Sequence, residues 1–225
     1  MNTVIPEETT GPDPAHPPAV PMPEGKWGSL YTLLFGAWFA PWPAVAWGSW
    51  ALSDVSGERS ALLSGVVIGV SLLLLVIAAA LFIAARPTLQ TPNDYGKGRF
   101  IAFWLVIATE CVAIGAGNVA LTRAHHTEGI MPWIALVVGL HFLPLARINR
   151  NPLWYITGIA LCTLVVTTVL VWPAAASLRV FGSAPTNRWH FIIAAGCAVI
   201  FWLTSATSAL LTLRALNRTP RLSVR

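Results

Sequence analysis

Apolar runs separated by short polar clusters organise most of this chain. They cover Trp27–Leu52, Ala61–Ala85, Phe100–Leu121, Ile130–Ala146, Leu153–Ala175 and His190–Leu213. Five contain no Asp, Glu, Lys or Arg, and the third contains one, Glu110. A helix rises about 1.5 Å per residue, so roughly 20 residues cross a 30 Å hydrocarbon core. Five runs reach that length, while the fourth, at seventeen residues, needs local bilayer thinning or shielding by its neighbours. Strands of a membrane barrel would alternate apolar and polar residues, and Ser71-Leu-Leu-Leu-Leu-Val-Ile77 does not alternate. The pattern predicts an all-α integral membrane protein with six transmembrane helices over residues 27–213.

Residues 1–26 differ in kind. They hold seven prolines (Pro6, Pro12, Pro14, Pro17, Pro18, Pro21, Pro23) and the acids Glu7, Glu8, Asp13 and Glu24. Such a segment buries too little apolar surface to offset its ordering entropy, and it reads as a disordered Pro-rich tail. No basic residue precedes Lys26, and no small-residue cleavage site follows a short apolar core, which argues against a signal peptide. Residues 214–225 read as a basic C-terminal tail.

Composition agrees with the pattern. Of 225 residues, 56% are apolar and 10% charged, with mean hydropathy +0.67, whereas soluble domains carry about 25% charge. With six spans, Lys26, Arg86, Lys97, Arg99, Arg147, Arg150, Arg214, Arg218, Arg221 and Arg225 share one side, ten in all. Arg59, Arg123, Arg179 and Arg188 are the four on the other. The positive-inside bias then places both termini in the cytoplasm. The net charge of +5 accordingly reflects topology and anionic headgroups of the lipid bilayer rather than nucleic acid. Twelve Arg against two Lys suits a GC-rich bacterium, and hence a bacterial cytoplasmic membrane.

Trp27, Trp50, Trp133, Trp154, Trp172 and Trp189 fall near span ends, where indoles anchor at headgroup level. Trp38, Trp42, Trp104 and Trp202 fall deeper, where the N–H needs an internal partner. In Ala40-Pro-Trp-Pro43 the prolines free the carbonyls of Ala37 and Phe39, which predicts a kinked first helix. Gly65/Gly69, Ala135/Gly139 and Ser205/Ala209 fit the small-xxx-small pattern; packing within the chain is its commoner use, and a homo-oligomer its alternative.

Glu110 is the polar residue that most strains this scheme. About ten Leu, Ile, Val or Phe residues give the third span roughly −3 to −6 kcal/mol on the insertion scale. A central charge costs roughly +2.5 to +3.5, so an ionised, unpartnered Glu110 brings the helix near break-even. Glu110 lies eleven residues before Leu121, and His141 eleven after Ile130. Across the short connection at 122–129 the two spans should be antiparallel neighbours, placing both side chains about 16 Å from one boundary. Pro144 frees the carbonyl of Leu140 beside His141. Asn118, Thr163, Thr167 and Thr168 are candidates to extend a polar lining. Two readings stay open: a structural pair that specifies helix register, and a proton, cation or small-solute binding or transport module.

Other signals are thin. His125, His126 and His190 are weak metal candidates on the outer side, with ligand number and geometry unestablished. Cys111, Cys162 and Cys197 lie inside spans without a C-x-x-C or nucleophile setting. Without Walker, Gly-x-Ser-x-Gly or His-Glu-x-x-His motifs or a nucleophile–base set, an intramembrane enzyme is the weakest alternative, and no cofactor is expected.

From Gly98-Arg-Phe100 through Glu110 and Asn118, and most strongly in Ile134-Ala-Leu-Val-Val-Gly-Leu-His-Phe-Leu-Pro-Leu-Ala-Arg147 with Pro152, Tyr155 and Thr157-Gly158, the chain resembles a family of uncharacterised bacterial multi-pass membrane proteins. The resemblance covers about a quarter of the sequence and leaves out the Pro-rich tail. It implies a small six-span-type protein with a glutamate in one helix and this histidine in the next, and no particular activity. On these grounds the chain is expected to be a multi-pass membrane protein of unresolved activity, with a non-catalytic interaction role as a further alternative.

Overall fold

A computed structural model describes residues 29–53, 58–86, 97–173, 177–178 and 186–218. The N-terminal tail, Trp27 and residues 219–225 lie outside them. The helices are α1 (Leu30–Phe39), α2 (Pro41–Leu52), α3 (Glu58–Ala85), α4 (Lys97–Arg123), α5 (Ile130–Ile148), α6 (Pro152–Val171) and α7 (Arg188–Arg218). A 3-10 turn, Thr127–Gly129, leads into α5. Between α6 and α7, Ser177–Leu178 pairs antiparallel with Thr186–Asn187. The fold is otherwise helical among the described residues, and α3 to α7 each contain a segment long and apolar enough to cross a membrane. By helix length and composition this is a multi-pass membrane protein.

Four boundaries differ from expectation. The first apolar run is two helices, parted at Ala40–Pro41, because Pro41 and Pro43 offer no amide hydrogens to the preceding turn. Ala40 itself is right-handed helical (φ −62°, ψ −29°), and its N–H donates to the Gly36 carbonyl. The break is therefore an interruption of the hydrogen-bond ladder within a helical path. The fourth run is longer than seventeen residues, since α5 continues through Arg147 to Ile148. The fifth stops at Val171, before Pro173. Arg214–Arg218 belongs to α7 rather than to a tail.

Local chemistry sets the helix starts. Ser29 accepts a hydrogen bond from the Thr32 amide at 3.3 Å, satisfying one of the orphan donors of α1. Asn151 does the same for α6, taking the Leu153 amide at 3.1 Å, with Pro152 at the first helical position, where a missing N–H costs nothing. The turn joining α5 to α6 is tight: Arg150 has φ +49°, and the buried Asn149 side chain donates back to the Leu145 carbonyl.

Helix registers are simple. Between α6 and α7, Gly196 abuts Leu164, Thr204 meets Thr157, and the Trp189 indole donates to the Trp172 carbonyl; each pair of numbers sums to 360 or 361, the mark of straight antiparallel packing. Along α3 and α7, Ser71 meets Trp202 and Ala78 clusters with Ala209, a constant offset of 131 that marks a parallel pair. Gly48 packs on Val67 and Ala37 clusters with Ala78, so α1 and α2 keep one antiparallel register with α3 on both sides of the break. α7 occupies the middle, against α1, α2, α3, α5 and α6, while α4 packs along α5. This arrangement gathers Arg86, Arg147, Arg150, Arg214 and Arg218 at one end of the bundle, with Arg123 at the other.

Small residues make the close approaches. A Cβ at Gly158 would sit 2.7 Å from the Gly139 carbonyl oxygen, and one at Gly139 would sit 2.7 Å from Cys162 Sγ. Ala135 and Ser205 are also fully buried, so two of the three small-xxx-small stripes serve packing within the chain. The third does not: a Cβ at Gly65 or Gly69 would meet nothing within 4 Å. Four tryptophans also depart from expectation. Trp38, Trp42 and Trp104 are exposed on the outer surface instead of turned inward, and Trp154, expected at the headgroups, is buried at 2% exposure. Trp202 follows the inward reading, its indole donating to Ser71 Oγ at 2.9 Å.

Candidate functional site

Glu110 and His141 face each other across the α4–α5 seam. Glu110 Oε1 lies 3.1 Å from His141 Nδ1, and the side chains are 14% and 10% exposed. The contact is close, yet its geometry does not make an aligned hydrogen bond, and among the described residues Nδ1 has no hydrogen-bond partner. Three contacts line up to create it. Leu121 packs on Gly129, Trp133 on Gly117, and His141 on Glu110, all at sums of 250 or 251, so the register is that of the equal-depth count. Trp133 fixes the seam further by donating its indole N–H to the Ala113 carbonyl at 3.0 Å. A Cβ at position 117 would collide with the Trp133 indole, so the indole lies flush against the α4 backbone. Asn118, on the same helix, is half-buried, and its Oδ1 lacks a partner among the described residues.

The threonines of α6 do not join this pair. Thr163 and Thr167 are exposed, and Thr167 donates to the carbonyls of its own helix at Thr163 (2.7 Å) and Leu164 (3.1 Å). Thr168 is buried and donates to the Leu164 carbonyl. A threonine that bonds its own preceding turn is satisfied in an apolar medium without any partner helix.

A second polar region lies deeper, along α7. Thr204, Ser205, Ser208 and Thr212 are all buried and fall on one face at helical spacing. Ser205 donates to the Ala37 carbonyl at 2.8 Å, the very carbonyl that Pro41 leaves without its helical donor. Thr204 and Thr157 oxygens are 2.8 Å apart. With one proton each, one hydroxyl donates across the interface while the other donates along its own helix. The Asn151 side chain donates to the Thr32 carbonyl at 3.4 Å, joining α6 to α1. Ser208 Oγ has no partner among the described residues, and a Cβ at Gly36 would lie 2.8 Å from it. This region went unremarked in the sequence reading beyond Ser205, although four hydroxyls at helical spacing in one apolar span were the signal for it.

The histidines of the α4–α5 connection stand apart. His126 Nδ1 is 3.2 Å from Glu128 Oε1, and His125 takes φ +59° at the turn out of α4. Among the described residues, no group of three or more His, Cys, Asp or Glu could hold a metal ion. Cys111 is exposed, Cys162 half-buried and Cys197 buried, each a free thiol.

Comparison with models of known protein families, with curated proteins and with solved structures found no match.

Proposed function

We propose that this protein crosses a bacterial cytoplasmic membrane six times and that Glu110 and His141 form a clasp holding α4 to the bundle, in a non-catalytic membrane protein of the kind its Gly139–Ala146 segment resembles. α1 and α2 together supply the sixth crossing: their shared register with α3 spans eleven residues, about 16 Å, on each helix. The basic residues at one end of the bundle favour the cytoplasm for that end.

The observation that carries the clasp is the packing of α4. Its apolar segment has no buried residue, and it packs along α5, where its one acidic side chain meets an imidazole. Association of helices in lipid gains little from apolar contact, because lipid tails are as apolar as leucine, so polar contacts and close packing decide it. Glu110, an insertion liability on its own, becomes the specific contact that orients α4.

One observation favours a second reading, a proton or cation binding centre. Both side chains keep some exposure, and His141 Nδ1 and Asn118 Oδ1 have unused hydrogen-bonding capacity. Proteoliposomes holding wild type or Glu110→Gln separate the two. The clasp predicts no proton or cation flux above empty vesicles in either, and a less stable variant. Wild-type flux that disappears in Glu110→Gln establishes the binding centre instead.

A further inference from the structure

On the opposite flank from the clasp, α1 and the last turns of α3 diverge to leave a groove of about 360 Å³, within the size range of small-ligand sites. Its walls are Tyr31, Phe35 and Trp38 on α1 and Phe82 and Ile83 on α3, and Ala78 and Ala79 form part of its lining. The alanines create it: larger side chains there would close the gap between the helices. Ala78 is buried against Ala37 and Ala209, so the groove has a closed back and an open front, and its lining is almost wholly apolar.

Among the described residues, charge lies at one end of the groove. Arg86 follows Phe82 by one turn, and its guanidinium carbon lies 5.8 Å from the Phe82 ring centroid, over a ring that lines the groove. The cation thus lies beside one of the groove's lining side chains, at the bundle end that also carries Arg147, Arg150, Arg214 and Arg218. Guanidinium presents a planar fork of donors suited to phosphate. An apolar slot flanked by an arginine suits an acyl chain that ends in an anionic headgroup.

We propose that the α1–α3 groove is a binding site for an anionic phospholipid, with one acyl chain against Ala78, Ala79 and Trp38 and the headgroup phosphate on Arg86. The proposal assumes that α1 lies in the bilayer, as the six-crossing reading has it, but uses neither Glu110 nor His141. A basic residue near a membrane surface contributes about 1 kcal/mol toward an anionic lipid, roughly a fivefold preference.

Native mass spectrometry of the full-length protein, titrated with phosphatidylglycerol or phosphatidylcholine of identical chains, tests it. Wild type is expected to bind the anionic lipid about fivefold more tightly. Arg86→Gln should abolish that preference, whereas Arg147→Gln, a change at the same end on α5, which packs on α4, α6 and α7, should retain it. Ala79→Phe, which fills the slot, should weaken both lipids. Equal binding of the two lipids by wild type, a preference that survives Arg86→Gln, or full binding by Ala79→Phe would each overturn the site. The first outcome would also leave a neutral chain, or another segment of this protein, as the occupant of the groove.

Discussion

Two glycines two residues apart on α4 show how differently single positions are constrained. Gly117 lies under the Trp133 indole, where any Cβ collides, while a Cβ at Gly115 would meet nothing within 4 Å. Gly117→Ala is therefore expected to displace Trp133, break its bond to the Ala113 carbonyl and destabilise the protein by about 1–3 kcal/mol. Gly115→Ala should be neutral or stabilising by up to about 1 kcal/mol through helix propensity. Reversible unfolding in bicelles measures both, and equal effects would contradict the seam. At this scale the sequence was informative about depth and poor about direction. Counting from the connection matched Glu110 with His141, because an antiparallel hairpin converts residue number into height. The inward reading of Trp38, Trp42 and Trp104 failed because lipid and protein core are both apolar, so a helix apolar on every side carries no mark of which face is packed.

Among the elements, the broken first helix and α7 explain each other. Pro41 removes the donor for the Ala37 carbonyl, and Ser205 supplies one from α7. Ser205→Ala should leave that buried carbonyl unpaired and cost about 1–3 kcal/mol. In a Pro41→Ala background the backbone amide at position 41 becomes a second donor, so the same Ser205→Ala change should cost distinctly less. Equal costs in the two backgrounds would mean that the carbonyl does not depend on Ser205. The freed carbonyl was readable from the prolines, but its partner was not, since Ser205 is 168 residues away in sequence and helix neighbours that distant follow from the assembled bundle. The boundaries of α5, α6 and α7 shifted by a few residues for a related reason: apolar runs mark the hydrocarbon layer, whereas helices continue to the nearest cap or proline.

For the whole molecule, the six-crossing proposal counts the first apolar run as one crossing, on the shared register of α1, α2 and α3 across the break. Reporter fusions at the two ends should then both read cytoplasmic; opposite locations would reduce the crossings to an odd number. The six apolar runs, the loose attachment of α4 and the gathering of arginines at one end form a single account, in which α7 organises the core through buried hydroxyls and α4 is held from outside by a polar contact. Its central claim is that Glu110 and His141 stabilise one another. The most direct measurement is a double-mutant cycle on unfolding in bicelles with Glu110→Leu, His141→Leu and the pair. The account predicts that the double variant is more stable than the sum of the single losses implies, by about 1 kcal/mol, within the range found for polar contacts between membrane helices. Single effects that add to within about 0.5 kcal/mol would show that the two side chains are neighbours without being partners, and would contradict it.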